Sequence, residues 1–152
     1  MRIDEAINTT FKSEQQKAIV NIRYTSNFLS NIQNNFMLKF ELTMPQFNVL
    51  RILRGANESL MTQTIKDRMV EKSPNTTRLL DKLESKKFIE RKQDKLKDKR
   101  AVIVSITQKG LEVLNEIDKG LIDNNLLNIG LDNNEAIQLS NLLDKLRVNF
   151  QK

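Results

Sequence analysis

Residues 73–107 read SPNTTRLLDKLESKKFIERKQDKLKDKRAVIVSIT, a helical pattern that gives way to a charged run between two apolar segments. From Arg91 to Arg100, six of ten residues are Lys or Arg and two are Asp. The run stands between Lys87-Phe88-Ile89-Glu90 and the segment Ala101 to Thr107. Val102, Val104 and Ile106 alternate with their neighbours, as in a half-buried strand. Two strands around a basic loop predict a basic hairpin. Such a hairpin suits the groove of a polyanion. It equally suits a solvated, Lys-rich turn, and the run alone leaves the two readings even.

The residues before the hairpin break that tie. Ser73 followed by Pro74 predicts a helix start, with Ser73 as N-cap and Pro74 at the first helical position. This helix should run to about Lys86, with Leu79, Leu80 and Leu83 on one face. Asn75, Arg78 and Lys82 lie at i, i+3 and i+7 and share the opposite face. Earlier, Thr43 can cap a helix starting near Pro45, with Phe47, Leu50, Ile52 and Leu53 buried and Gly55-Ala56-Asn57 ending it. Thr62 or Thr64 opens a short helix to about Val70, with Ile65 and Met69 inward.

The flanks are helical too. From about Asp4 to Phe40, Ile7, Phe11, Ala18, Ile22, Leu29, Ile32 and Phe36 recur at helical multiples. They predict one long helix, or two with a break near the Asn-rich part. A helix this long finds little to bury against in a small domain, so packing on another subunit is expected. Thr107 can cap a helix striped by Leu111, Leu114, Ile117 and Leu121 that continues towards Ile129 until Gly130 breaks it. Asp132 caps a last helix carrying Ile137, Leu139, Leu142, Leu143, Leu146 and Phe150.

Composition removes several classes of function. The 152 residues fit one domain or two small lobes, and 39% hydrophobic content can bury a core. With two Pro, four Gly and no Trp, the chain should be mostly helical. Cys and His are both absent. That excludes disulfides, thiol chemistry, zinc sites built on those ligands and the usual general base near neutral pH. No Gly-rich phosphate loop or nucleophile elbow is present, so neither an enzyme nor a cofactor is expected. No apolar run approaches the ~20 residues of a membrane span, and the N-terminus carries acids where a signal peptide would be apolar. A cytoplasmic protein without membrane partners is expected. The net charge of +6 is uneven. Residues 62–110 hold 14 Lys plus Arg against 7 Asp plus Glu, and the remainder holds 11 against 12. The positive excess lies inside patterned structure, where it predicts a folded surface that meets phosphate.

Two short helices followed by a basic hairpin make the order of a winged helix-turn-helix. The second helix fits the major groove, where base edges carry the sequence code. Ser73 and Thr76 or Thr77 can add hydroxyl contacts, Arg78 can reach a guanine edge or a phosphate, Asn75 can pair with adenine, and Lys82 reaches backbone. The hairpin would follow the neighbouring minor groove, with Arg100 inserted, Asp98 orienting it and Lys95, Lys97 and Lys99 supplying phosphate charge. An exposed Asp98–Arg100 pair worth little is the plainer alternative.

The stretch from Leu42 to Gly110 resembles the MarR-type transcriptional regulators. It contains LTMPQFNVLRIL, the TRLLDKLESK helix, the Asp-x-Arg of Asp98-Lys99-Arg100 and the SITQKG of Ser105 to Gly110. The flanking helices match in length and pattern only. The resemblance implies a homodimer built from the first helix and the last two, on a roughly palindromic operator in double-stranded DNA. It implies repression, usually relieved by a small ligand, and a minor-groove role for Arg100. Lys86-Lys87-Phe88 departs from the family's usual Lys-Gly turn, and the turn before the helix also lacks Gly. The extra lysine adds charge, and the missing Gly is expected to strain that turn.

The resulting expectation is a mostly α chain with a small β-hairpin: a winged helix-turn-helix over 41–110, with long dimerisation helices over 1–40 and 111–152. Ile7, Phe11, Leu121, Leu139, Leu142, Leu143 and Leu146 are the candidate dimer residues. Phe36, Phe40, Met44 and Phe47 could line a pocket for a small aromatic or organic effector, although ordinary core packing explains such a cluster more simply. No metal site is expected. Two rival functions use the same residues. One is a non-specific architectural protein that coats nucleic acid; the other is a helical interaction module with surface lysines.

Overall fold

The computed structural model describes residues 1–72, 74–93 and 101–151. They form two compact units, Met1–Asn115 and Glu116–Lys152. The elements in chain order are α1 (Ile3–Ala6), α2 (Glu14–Met37), α3 (Met44–Ala56), β1 (Leu60–Met61), α4 (Thr62–Arg68), α5 (Thr76–Ser85), β2 (Ile89–Gln93), β3 (Val102–Ile106), α6 (Gln108–Asp123) and α7 (Asn133–Asn149). A 3₁₀ turn at Leu38–Phe40 follows α2.

The first unit is built on local chemistry. The N-terminal stretch is two helices, and the break falls at residues 7–13 rather than near the later Asn-rich part. Asn8 sits at φ 48°, and the N–H groups of Asn8 and Thr9 bond back to the carbonyls of Glu5 and Asp4. That is a Schellman closure, which ends α1 whatever the apolar spacing beyond it. Lys17 Nζ donates to Asp4 Oδ2 at 3.1 Å, tying α2 to α1 and lowering the Asp4 carboxyl below its ordinary range. Thr43 caps α3 in a reciprocal box with Gln46. Asn57, at φ 54°, ends it.

The hairpin predicted from sequence is the larger part of a three-stranded antiparallel sheet, ordered β1-β3-β2. Ile89 faces Ile106 and Arg91 faces Val104 across β2–β3, while Leu60 faces Val104 across β1–β3. Strand β2 continues to Gln93, so Arg91 and Lys92 belong to the sheet and not to the loop. Val49, Leu50 and Leu53 of α3, Ile65 of α4, Leu80 and Leu83 of α5, Ile89 and Val104 are at most 1% exposed and form the core. Thr107 closes the sheet onto α6: its Oγ1 donates to the Lys87 carbonyl and accepts from the Gly110 N–H. A Cβ on Gly110 would collide with the Phe88 carbonyl and stand 2.7 Å from Ile106 Cγ1, so only glycine fits there.

In the second unit, α6 ends at Asp123, short of the expected Ile129, because Asn125 takes φ 53° and another Schellman closure forms. Gly130, at φ 70°, turns the chain into α7. Asp132 and Glu135 cap α7 reciprocally, each through a 2.9 Å hydrogen bond. No helix among the described residues is long and apolar enough to cross a membrane.

Candidate nucleic-acid interface

Helix α5 begins later than the Ser-Pro signal suggests. Asn75 is the N-cap, and its side chain accepts from the Arg78 N–H at 3.2 Å; Pro74 lies in the preceding turn. An Asn side chain three residues ahead of the first free amide competes directly for the capping role, and here it wins. Ser73 lies outside the described residues. Thr76, Leu80 and Leu83 are buried. Asn75, Thr77, Arg78, Asp81, Lys82 and Ser85 are exposed. Thr76, expected among the phosphate-contacting hydroxyls, is 1% exposed and serves the core. Its spacing to Leu80 and Leu83, i to i+4 to i+7, turns it inward with them. Thr77, Arg78 and Lys82 remain on the outer side.

The turn ahead of α5 is held from two directions. Asn48 of α3 accepts from the Val70 N–H at 3.0 Å. Lys72 Nζ donates to the carbonyls of Lys66 and Asp67, at 3.1 and 2.8 Å, and so satisfies the end of α4. Neither role carries a sequence signal beyond residue type. Behind α5, Lys87 takes φ 62°, its N–H bonds to the Glu84 carbonyl, and the Phe88 N–H bonds to the Leu83 carbonyl. This too is a Schellman closure, with a lysine where glycine is usual. The strain of the missing glycine falls here, after the helix. Among the described residues of the turn before it, none has a positive φ.

Arg91, inside the basic run, does not extend towards solvent as a free cation. Its Nη2 lies 2.7 Å from Asp81 Oδ1, and it also hydrogen-bonds Glu84. Burial works against its charge, but the two carboxylates outweigh that and raise its pKa. β2 is thereby tied to α5. The sequence did contain a clue: Asp81 and Glu84 are acids at i, i+3 on a helix otherwise edged with cations.

Lys95, Lys97, Asp98, Lys99 and Arg100 lie outside the described residues. Of the candidate effector residues, Phe36 and Phe47 are buried and Phe40 and Met44 half-buried. The Phe36 and Phe40 rings meet edge-on at 5.4 Å. Of the candidate dimer residues, Ile7, Leu139 and Leu142 are exposed, while Phe11, Leu121, Leu143 and Leu146 are half-buried.

Comparison with known proteins agrees with this geometry. Residues 42–102 match the model of the MarR family. An HTH-type transcriptional regulator of Bacillus subtilis, YfiV, is 33% identical over 76 residues, 50% of this chain and 46% of that one, so the match spans about half the length of this relative. A point mutant of MarR from E. coli, complexed with operator DNA, superposes with a TM-score of 0.76 at 25% identity, covering 91% of this chain and 99% of the other. A MarR transcription factor from Planctomyces limnophilus gives 0.67 at 28% identity, with 91% and 99% covered. With a helix-turn-helix held against a three-stranded sheet, and with these likenesses in sequence and fold, this chain is similar to the MarR family of winged-helix transcription regulators over residues 42–102 and in overall fold.

Proposed function

We propose that this protein is a sequence-specific regulator that binds operator DNA as a homodimer, with α5 in the major groove and residues 94–100 along the adjacent minor groove. One observation carries the reading. Helix α5 is seated on the core by Thr76, Leu80 and Leu83, and it turns Thr77, Arg78 and Lys82 outward on a rigid, 10-residue rod. A helix of that size fits the major groove, and Arg favours the paired acceptors of guanine. Asn75 is partly committed, since its side chain already caps the helix. The operator DNA bound to the E. coli relative supports operator binding here.

Dimerisation is supported by apolar surface. On α2, Ile19, Ile22, Phe28, Leu29 and Ile32 are 37–57% exposed, and on α7, Ile137, Leu139 and Leu142 are 46–65% exposed. Exposed apolar side chains of this kind favour burial against a second copy. A dimer presents two copies of α5 to a palindrome with half-sites about one DNA turn apart. Repression, release by a small organic effector, and action in the cytoplasm complete the proposal.

The test is selection from a random-sequence duplex pool, followed by a salt titration of the enriched site. The reading expects an inverted repeat and a specificity ratio of at least ~10³ over random DNA. For about 10 phosphate contacts the log–log salt slope is near −9. Equal binding to every duplex would instead favour an architectural role.

A further inference from the structure

We propose that Arg91 serves DNA binding by masking two carboxylates on the exposed side of α5, without itself touching DNA. The proposal rests on the DNA-binding reading above. The exposed side of α5 carries Arg78 and Lys82, but also Asp81, whose side chain is 56% exposed. Glu84, beside it, is 40% exposed. Unmasked, those charges cancel, and a helix with no net charge gains little from entering a polyanion's groove. Arg91 supplies the missing cation from outside the helix. Its backbone is fixed by the β2–β3 ladder opposite Val104, which is fully buried, and its guanidinium holds both acids.

Two consequences follow from removing it. Asp81 stands at i+3 from Arg78, with Cβ atoms about 6 Å apart, so a released carboxylate would draw the Arg78 guanidinium away from the groove. Both released acids would also lie within a Debye length, about 10 Å, of the phosphates. Arg91 offsets one of the two unit charges, so at a separation of about 8 Å and an effective dielectric of about 40–80 its removal costs roughly two- to sixfold in affinity.

The experiment uses the full chain and a labelled duplex of random sequence, about 30 base pairs long, in about 50 mM salt. Arg91→Gln should bind about two- to sixfold more weakly. Adding Asp81→Asn and Glu84→Gln to Arg91→Gln should restore affinity to at least that of the parent, because no charge is left to mask. Asp81→Asn with Glu84→Gln, Arg91 being kept, should bind at least as tightly as the parent. A triple variant as weak as Arg91→Gln would make Arg91 a mechanical clamp and overturn the masking role. So would unchanged binding by Arg91→Gln, or weaker binding by the variant that keeps Arg91. A parent protein that binds no duplex removes the DNA-binding reading itself, and the masking role with it.

Discussion

Gly110→Ala and Gly55→Ala are the same chemical change, and the structure gives them opposite signs. Both glycines lie in helices, where alanine is favoured by up to about 1 kcal/mol. At Gly55, near the end of α3, nothing lies within 4 Å of where the Cβ would be, so that preference acts unopposed. A stabilisation of about 0.5–1 kcal/mol is expected. At Gly110, the new methyl group meets the Phe88 backbone carbonyl and the Ile106 side chain. The carbonyl cannot rotate aside, because it accepts the Thr107 N–H at 3.0 Å. Overpacking of this kind costs about 1–3 kcal/mol or more, which exceeds the propensity gain. The net expectation is a loss of about 1–2 kcal/mol. For a chain of this size, 1 kcal/mol moves Tm by about 2–4 °C. Thermal melting at fixed protein concentration should therefore place Gly55→Ala a few degrees above the parent and Gly110→Ala about 2–8 °C below it. A Gly110→Ala protein that melts at or above the parent would refute the close approach of Gly110 to Phe88 and Ile106.

Other substitutions probe the remaining parts. Lys87→Gly relieves a left-handed backbone conformation that costs an L-residue about 1–2 kcal/mol, so melting should rise by a few degrees; Lys87→Ala, which keeps the Cβ, should not raise it. Arg78→Ala should cost about 1–3 kcal/mol of operator binding and relax base preference, as read by competition between single-base operator variants; an equal loss on every sequence would assign Arg78 to phosphate. Arg100→Ala should weaken operator binding by a similar ~1–3 kcal/mol while leaving melting unchanged; a protein that no longer folds would make Arg100 structural. Leu142→Asp should convert a dimer to monomer in sedimentation and abolish binding to the full site, since it would put a charge into the proposed apolar interface, where Leu142 is exposed in the single chain; a monomer that still binds the whole site would refute the dimer.

What the sequence made legible was chemistry completed within a few residues. The Thr43, Thr107 and Asp132 caps each need one oxygen and one amide three residues on, and all three form. The alternating Val102, Val104 and Ile106 mark β3 for the same reason. Two competing caps three residues or fewer apart were not legible: Ser73-Pro74 and Asn75 both signal a start, and only the packing of Thr76 under the helix favours Asn75. Strand β1, two residues long, exists because β3 offers it an edge, and no local pattern declares it. The break at Asn8 and the early end of α6 share one cause. The chain has four glycines, and it closes α1, α3 and α6 on Asn8, Asn57 and Asn125 in left-handed backbone. Asparagine tolerates that region, but it is common elsewhere in this sequence, so its stop signal is weak where a glycine would be clear.

Counting the basic residues of 62–110 overstates what α5 and the hairpin offer DNA as contacts, and understates how the rest act. Lys72 is spent on the α4 carbonyls, Lys86 on the Glu41 carbonyl, and Lys109 on the Lys86 carbonyl and the Phe88 ring. None of these partners is an anion, so all three lysines keep their full charge while holding the fold. On the proposed function, they would contribute a field that steers DNA towards this face and that weakens with salt. Arg91 is the opposite case: its partners are two carboxylates, and its charge is cancelled where it stands. The exposed cations that remain on α5 as candidates for contact are Arg78 and Lys82. Association rate should therefore respond to Lys72, Lys86 and Lys109 as charges, and sequence preference to Arg78 as a shape. A charge-neutral replacement at Lys86 that altered base preference, while leaving the association rate unchanged, would contradict that division.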